Sequence, residues 1–207
     1  MSAPRFITLE GIEGAGKSTA TRFVCDWLTA RGVPTLRTRE PGGTPLAERV
    51  REIVLQPGAE HITPQTETLL MFAARGAHVE NLVRPALARG EWVVSDRFTD
   101  ATRAYQGAGR GVSRELIETL ARAVHGDLWP HLTLLLDLPV AAGMARVRER
   151  GAAADRFEQE QAAFFERVRA EYLAIAAREP QRMQLIDASA AVAGVQAQIA
   201  AVLARLL

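Results

Sequence analysis

Hydrophobic positions along this chain follow two alternating rhythms. Short strand-like runs occur at 5–10 (RFITLE), 34–39 (PTLRTR), 91–95 (EWVVS), 132–138 (LTLLLDL) and 183–187 (MQLID). Between them, apolar residues recur at helical spacing. Phe23, Val24, Trp27 and Leu28 mark one face of a helix that opens near Lys17 and stops at Gly32, a residue suited to the left-handed cap. Further helices are predicted over 45–56, 64–89, 113–124, 139–150, 157–178 and 190–206. Strands that alternate with helices build a parallel sheet covered on both faces. The run TLLLDL is too continuously apolar for a half-exposed strand, so it belongs at the centre. The expected fold is α/β, a three-layer sandwich with a five-stranded parallel sheet flanked by helices. No repeat, low-complexity tract or dividing linker interrupts it, so residues 1–207 read as a single domain. The stretches 106–111 and 146–156 read as loops or loop edges, and in such folds functional loops lie at the carboxyl ends of strands.

One of those ends carries GIEGAGKS, residues 11–18, which satisfies G-x-x-x-x-G-K-[ST]. The pattern gains weight from its context, because an apolar strand ends at Glu10 and an amphipathic helix begins near Lys17. Small residues let backbone N–H groups turn inward on phosphates, and the helix N-terminus adds partial positive charge. Gly11, Ile12, Glu13, Gly14, Ala15, Gly16, Lys17, Ser18 and Thr19 are therefore the expected ATP-binding loop. In that loop Lys17 reaches the β- and γ-phosphates and Ser18 ligates Mg²⁺. A second motif, EWVVSDR, places Asp96 directly after a strand, where such nucleotide enzymes hold their Mg²⁺.

Composition narrows the class. Lys plus Arg number 25 against 24 Asp plus Glu, so no global field points to nucleic acid or to a membrane surface. The single cysteine, Cys25, excludes an intramolecular disulfide and fits a reducing compartment. The start of the chain, MSAPRFITLE, has no apolar signal segment, and no stretch approaches the roughly 20 apolar residues of a membrane span. The expectation is a cytoplasmic protein. The four histidines form no metal-spaced cluster, and His78 and His125 read as helix-surface or capping residues. A guanine reader N-K-x-D is missing, since the sole asparagine, Asn81, precedes Leu82. What remains is a small-molecule kinase, an ATP-driven motor or switch, or a ligase. Arginines favour the kinase. Arg39 and Arg97 follow strands, with Arg51 and Arg75 further on, and a planar guanidinium grips an anionic acceptor bidentately.

Taken together, EGIEGAGKST, TREPGGT, SDRFTDATRAYQGAGRG and RGAAADRFE resemble the thymidylate kinases of bacteria, in family order and along essentially the whole chain. The resemblance implies ATP- and Mg²⁺-dependent conversion of dTMP to dTDP by direct in-line transfer, in a homodimer whose interface the apolar helix near 64–89 could supply. It implies that Arg97 and Arg39 grip the acceptor phosphate, that Arg51 lines the same pocket, and that Arg75 meets the thymine carbonyl edge. Thr102 and Gln106 would complete the base and phosphate contacts, with Tyr105 against the deoxyribose and Glu13 accepting from the 3′-hydroxyl. The family usually has an aromatic residue four positions before the base-reading arginine. Here that residue is Met71, and Phe72 stands one position later. Both offsets can share a face with Arg75 on a helix, and Phe72 is the preferred base wall, with Met71 as the alternative cover. Gly14 replaces the loop arginine that some thymidylate kinases carry, so the catalytic arginine is expected from a lid at about 143–157. Arg150 is the first choice there, with Arg148 and Arg156 in support and Arg146 a further candidate. The alternatives are the same chemistry on another nucleoside monophosphate, or a binding protein that uses ATP as a switch.

Overall fold

The computed structural model describes residues 3–56, 60–149, 156–158 and 160–207. Its strands are β1 (Phe6–Glu10), β2 (Thr35–Arg39), β3 (Trp92–Asp96), β4 (Leu132–Asp137) and β5 (Met183–Asp187). They form one parallel sheet in the order β2–β3–β1–β4–β5. All five residues of β1 are buried, and β4 is buried from Leu132 to Leu136, as a sheet covered on both faces requires. The outer strands β2 and β5 leave alternate residues exposed. β1 pairs with β3 through Leu9 opposite Asp96 and with β4 through Glu10 opposite Leu135. From β1 the chain runs to the edge strand β2, returns to β3 between them, and then crosses to β4 and β5 on the other side of β1, so the crevice forms above the carboxyl ends of the central strands.

Nine α-helices are described. They are α1 (Lys17–Thr29), α2 (Pro45–Leu55), α3 (Pro64–His78), α4 (Arg84–Ala88), α5 (Thr99–Thr102), α6 (Arg114–Val124), α7 (Val140–Glu149), α8 (Ala162–Arg178) and α9 (Val192–Leu203). Local chemistry starts several of them. Thr44 and Thr63 accept hydrogen bonds from the N–H groups of Ala47 and Thr66, and a proline follows each cap. The main core packs Ile7, Leu9, Leu134 and Leu136 of the sheet against Val24 and Leu28 of α1, Val168 and Ile175 of α8, and Ile199 of α9. Each such side chain, fully buried, contributes roughly 1.5–3 kcal/mol of transfer free energy.

The structure departs from the sequence expectations in three places. The helix expected over 64–89 widens at Val79–Val83 into a π turn, where the Arg84 N–H reaches the Val79 carbonyl. Pro85 lies one residue on and has no N–H to return to Asn81, so the α register cannot run through unbroken. The stretch expected as a loop around 106–111 is largely helical, because α5 continues into a π-helical segment, Arg103–Gly109. Gly107 and Gly109 disguise it in the sequence, and packing against α8 forms it. A Cβ at Gly109 would stand 2.5 Å from the Phe164 ring. The helix expected from 157 begins only at Ala162.

Candidate active site

The phosphate-loop candidate sits where β1 hands the chain to α1. Gly14 takes φ 76°, and a Cβ there would run into the Gly143 carbonyl oxygen of α7. The contact is reciprocal, since a Cβ at Gly143 would stand 2.6 Å from the Glu13 carbonyl oxygen. Backbone therefore lies on backbone, and position 14 has no room for any side chain, an arginine included. Gly16 caps α1 in the left-handed region and offers no side-chain cap, so the first N–H groups of the helix are left to a ligand. Lys17 folds back over the loop, donating from Nζ to the carbonyls of Gly11 (3.0 Å) and Ile12 (2.9 Å). Burial, reinforced by the Arg97 charge and opposed by Asp96 and Glu13, lowers its ammonium pKa to about 8. An incoming polyanion would reverse that shift.

A cleft of about 470 Å³ opens over the loop. It is lined by Glu13, Gly14, Gly16, Lys17, Ser18 and Thr19 on one side, with Asp96 and Arg97 at the end of β3. Arg39, Arg51, Met71, Arg75, Thr102, Tyr105 and Gln106 form the opposite wall. Residues from 13 to 106 that the sequence assigned to one site thus meet around one cavity. Ile12 and Ala15 are buried beneath the loop instead.

Glu13, a carboxylate in a loop built for anions, points away from the loop's N–H groups. Arg97 donates to its Oε1 at 2.8 Å, and the Tyr105 hydroxyl donates to its Oε2 at 2.6 Å. Arg97 also meets the Tyr105 hydroxyl at 3.0 Å and lies 4.5 Å above the centre of its ring. Burial above all keeps the Tyr105 hydroxyl well above its ordinary pKa, with Arg97 opposing and Glu13 adding, so it remains a donor. Arg97 holds φ 76°, a left-handed conformation costing on the order of 1–3 kcal/mol for a side-chain-bearing residue. Its N–H bonds the Leu9 carbonyl and its C=O accepts from Ser95 Oγ, which together enforce that conformation.

Arg75 comes up from α3. Its Nε donates to Glu40 Oε2 at 2.8 Å and its Nη2 to Thr102 at 3.1 Å, while the buried Nη1 has no hydrogen-bond partner. Phe72 does not reach the cleft. Its ring packs with Val112, Ile117 and Ala121 and supports Arg75, whose guanidinium carbon is 4.8 Å from the ring centre. Met71 faces the cavity in its place, which reverses the sequence preference. His78, expected as a helix-surface or capping residue, is fully buried between Thr38 (2.7 Å) and Glu40 (2.8 Å). His125 does occupy the C-cap of α6, but it too is buried, against Thr99 at 2.9 Å.

The arginines expected from the lid separate. Arg146 lines the cleft, donating to the Ala188 carbonyl at 3.2 Å and, more loosely, to that of Gly14 at 3.4 Å. Arg148 is an exposed residue beside a neighbouring cavity with Met144 and Phe165. Arg156 is drawn away from the loop, bonding the Val54 carbonyl at 2.8 Å and the Glu67 carboxylate. Arg150 and residues 151–155 lie outside the described residues. Among the described residues four buried acids escaped the sequence reading, one of them Asp100, which pairs with Arg103 and Arg182. Glu40 holds Arg75, Glu67 holds Gln106, and Glu10 accepts from the Phe98 N–H at 2.8 Å with the Tyr172 hydroxyl 2.7 Å away. Burial, helped by Asp100, raises the Glu10 pKa from the usual 4.5 to about 8. The only local signal for Glu10 was its place at a strand's end.

The chain is similar to known proteins along nearly its whole length. The family described as Thymidylate kinase matches residues 9–199. A thymidylate kinase of Chromohalobacter salexigens is 58% identical over 202 residues, covering 97% of this chain and 95% of its own. One from Pseudomonas syringae pv. tomato is 56% identical, covering 98% and 96% respectively. Among solved structures, the thymidylate kinase of Ehrlichia chaffeensis superposes with a TM-score of 0.79 at 32% identity, over 98% of this chain and 99% of that one.

Proposed function

The chain belongs to the thymidylate kinase family and phosphorylates dTMP by ATP-dependent kinase chemistry; we propose that the cleft described above carries out that transfer, with ATP on the loop and dTMP on the facing wall. The observation that carries this assignment is Arg75. A buried guanidinium N–H without a partner costs about 1–3 kcal/mol, and a thymine carbonyl in the cavity would satisfy it. Thr102 and Gln106 stand beside it, with Met71 as the cover of the ring. Tyr105 lies under the sugar, and Glu13 receives the 3′-hydroxyl with its own charge balanced by Arg97. Arg97, Arg39 and Arg51 grip the acceptor phosphate. Arg39 is half exposed, and it pairs with Glu48 at 2.9 Å, a contact it can exchange for phosphate.

Across the cleft, the free N–H groups of the loop and the Lys17 ammonium take the triphosphate. Ser18 and Asp96 offer a hydroxyl and a carboxylate beside Lys17, hard oxygen donors suited to Mg²⁺. Bound there, Mg²⁺ would neutralise charge on the phosphate oxygens. Phosphoryl transfer asks mainly for alignment and charge neutralisation, which the two facing sets of cations supply. Because position 14 admits no side chain, further positive charge comes from α7 and the segment after it. Arg150 with Arg148 remains the lid assignment by resemblance, Arg146 reaches the loop at the Gly14 carbonyl, and Arg156 is reassigned to anchoring.

Leu46 and Ile53 lie seven residues apart on one face of α2 and are half exposed, as is Leu69 on the adjoining α3. That apolar face supports a homodimer, and Ile53→Glu with Leu69→Glu should yield a monomer in light scattering. Among the described residues no helix is long and apolar enough to cross a membrane, and Cys25 has no partner for a disulfide, which together support a cytoplasmic location. ADP release measured across dTMP, dUMP, dCMP and AMP tests the acceptor assignment. Fast turnover with dUMP or AMP and none with dTMP would overturn it.

A further inference from the structure

Glu67 on α3 is 1% exposed, yet three side chains from other elements converge on it. Gln106 donates from Nε2 to its Oε1 at 2.8 Å, Arg110 approaches the same oxygen at 3.4 Å, and Arg156 pairs with Oε2. We infer that Glu67 is a positioning residue that fixes which end of the Gln106 amide the base meets, and so sets the preference for a base that donates from its ring nitrogen. The inference rests on the assignment of this wall to the acceptor base.

An amide has a donating and an accepting end, and rotation by half a turn exchanges them at little steric cost. A carboxylate held by two guanidinium groups can only accept. The nitrogen of Gln106 must therefore turn toward Glu67, which leaves the carbonyl oxygen as the opposite end of an amide that lines the cleft. The unpaired Nη1 donor belongs to Arg75, which lines the same cleft. An acceptor next to a donor matches thymine and uracil, which offer a ring N–H and an adjacent carbonyl. Cytosine offers the reverse, a bare ring nitrogen and an amino group, and would leave both protein groups unpaired. A site built to hydrogen-bond a group rejects the analogue lacking it strongly, because its buried polar atoms are then stranded. Selectivity thus depends on a residue whose carboxylate is taken up by Gln106, Arg110 and Arg156 and lines no part of the cleft.

The test is Glu67→Gln in the full-length enzyme at saturating ATP, with kcat/KM measured for dTMP, dUMP and dCMP. A glutamine at 67 can donate as well as accept, so the Gln106 amide is released to turn. The dTMP-to-dCMP ratio should fall by about tenfold or more, while dTMP-to-dUMP changes by less than about twofold, since those two bases present the same edge. Glu67→Asp keeps an acceptor-only partner and should retain the dTMP-to-dCMP ratio even where total activity drops. Gln106→Leu should lose the same discrimination, with no further change in ratio when combined with Glu67→Gln. A common fall in all three substrates, or loss of the ratio in Glu67→Asp, would show a structural role only and overturn the inference. A wild-type enzyme that accepts dCMP as readily as dTMP would instead overturn the base assignment itself.

Discussion

The two walls of the cleft are encoded in opposite ways. On the loop side, Lys17 bonds carbonyls five and six residues back, and the groups proposed to meet the triphosphate are backbone N–H at a helix start without a side-chain cap. On the acceptor side, the contacts span 84 residues from Glu13 to Arg97, 92 to Tyr105, 35 from Glu40 to Arg75 and 39 from Glu67 to Gln106. The first wall is a property of one short peptide at the end of a strand. The second exists only once β1, β3, α3 and the segment 99–109 are packed. A triphosphate is the same in every nucleotide, and repeated N–H groups suffice for it. A particular base and sugar demand side chains, and each side chain needs a partner of its own to hold it still.

If that division is right, damage to either wall should stay on its own substrate. The largest effect belongs to Lys17, which we propose serves the transferring group itself. Lys17→Met should lower kcat by about 10²–10³-fold or more while dTMP affinity, read by fluorescence or calorimetry, stays near wild type. A comparable loss of dTMP binding would mean that the loop also organises the acceptor.

Next in size is Glu10, the last residue of β1, which ties the walls together by accepting the Phe98 N–H ahead of the acceptor segment. Its folded pKa of about 8 lies above the usual 4.5, so between those values the folded chain holds a proton that the unfolded chain has released. Its contribution therefore destabilises progressively as pH rises through that window and levels off above about 8. Glu10→Gln, neutral and nearly isosteric, should gain on wild type over the same range, by on the order of 2–4 kcal/mol at pH 8. Urea unfolding at pH 5 and pH 8 reads the difference. An advantage that does not grow with pH would show that Glu10 is ionised in the fold.

What the sequence made legible follows the same division. The strands, the phosphate loop and Asp96 announce themselves by local pattern, because burial on both faces and a strand-to-helix turn each leave a mark within ten residues. The acceptor wall was reached through resemblance, and its supports were not reached at all. Glu40 and Glu67 look like ordinary helix or loop acids until α3 and Gln106 are brought beside them. Both Met71 and Phe72 can face Arg75 by spacing, and the sequence preference for Phe72 was the wrong one for the cavity wall. The choice is made by α6, which takes up Phe72 with Val112 and Ile117. The π segments at 79–83 and 103–109 were hidden for a related reason, as a widened turn has no 3.6-residue signature.

Glu13 sharpens the comparison because it belongs to the loop by sequence and to the acceptor wall by contact. Glu13→Ala leaves Arg97 and Tyr105 without their common acceptor. It should raise KM for dTMP about 10–50-fold, the scale of lost charge-assisted hydrogen bonds, with ATP affinity changed by less than about threefold. Equal losses on both substrates would return Glu13 to the donor side.

The smallest effect tests whether the acceptor wall is sensitive to its scaffold. Thr44 caps α2 through a long bond to the Ala47 N–H, 3.3 Å, so Thr44→Ala should cost about 0.5–1 kcal/mol of stability. The first turn of α2 also carries Glu48, which holds the Gly43 N–H and Arg39, and one turn later comes Arg51, bonded to the Pro41 carbonyl at 2.9 Å. Fraying at Thr44 therefore loosens two of the arginines assigned to the acceptor phosphate without touching the loop. KM for dTMP should rise about twofold and KM for ATP should not move, with Thr44→Ser restoring both stability and KM. Were the two KM values to rise together, the first turn of α2 would be a support shared by both walls, and their independence would end there.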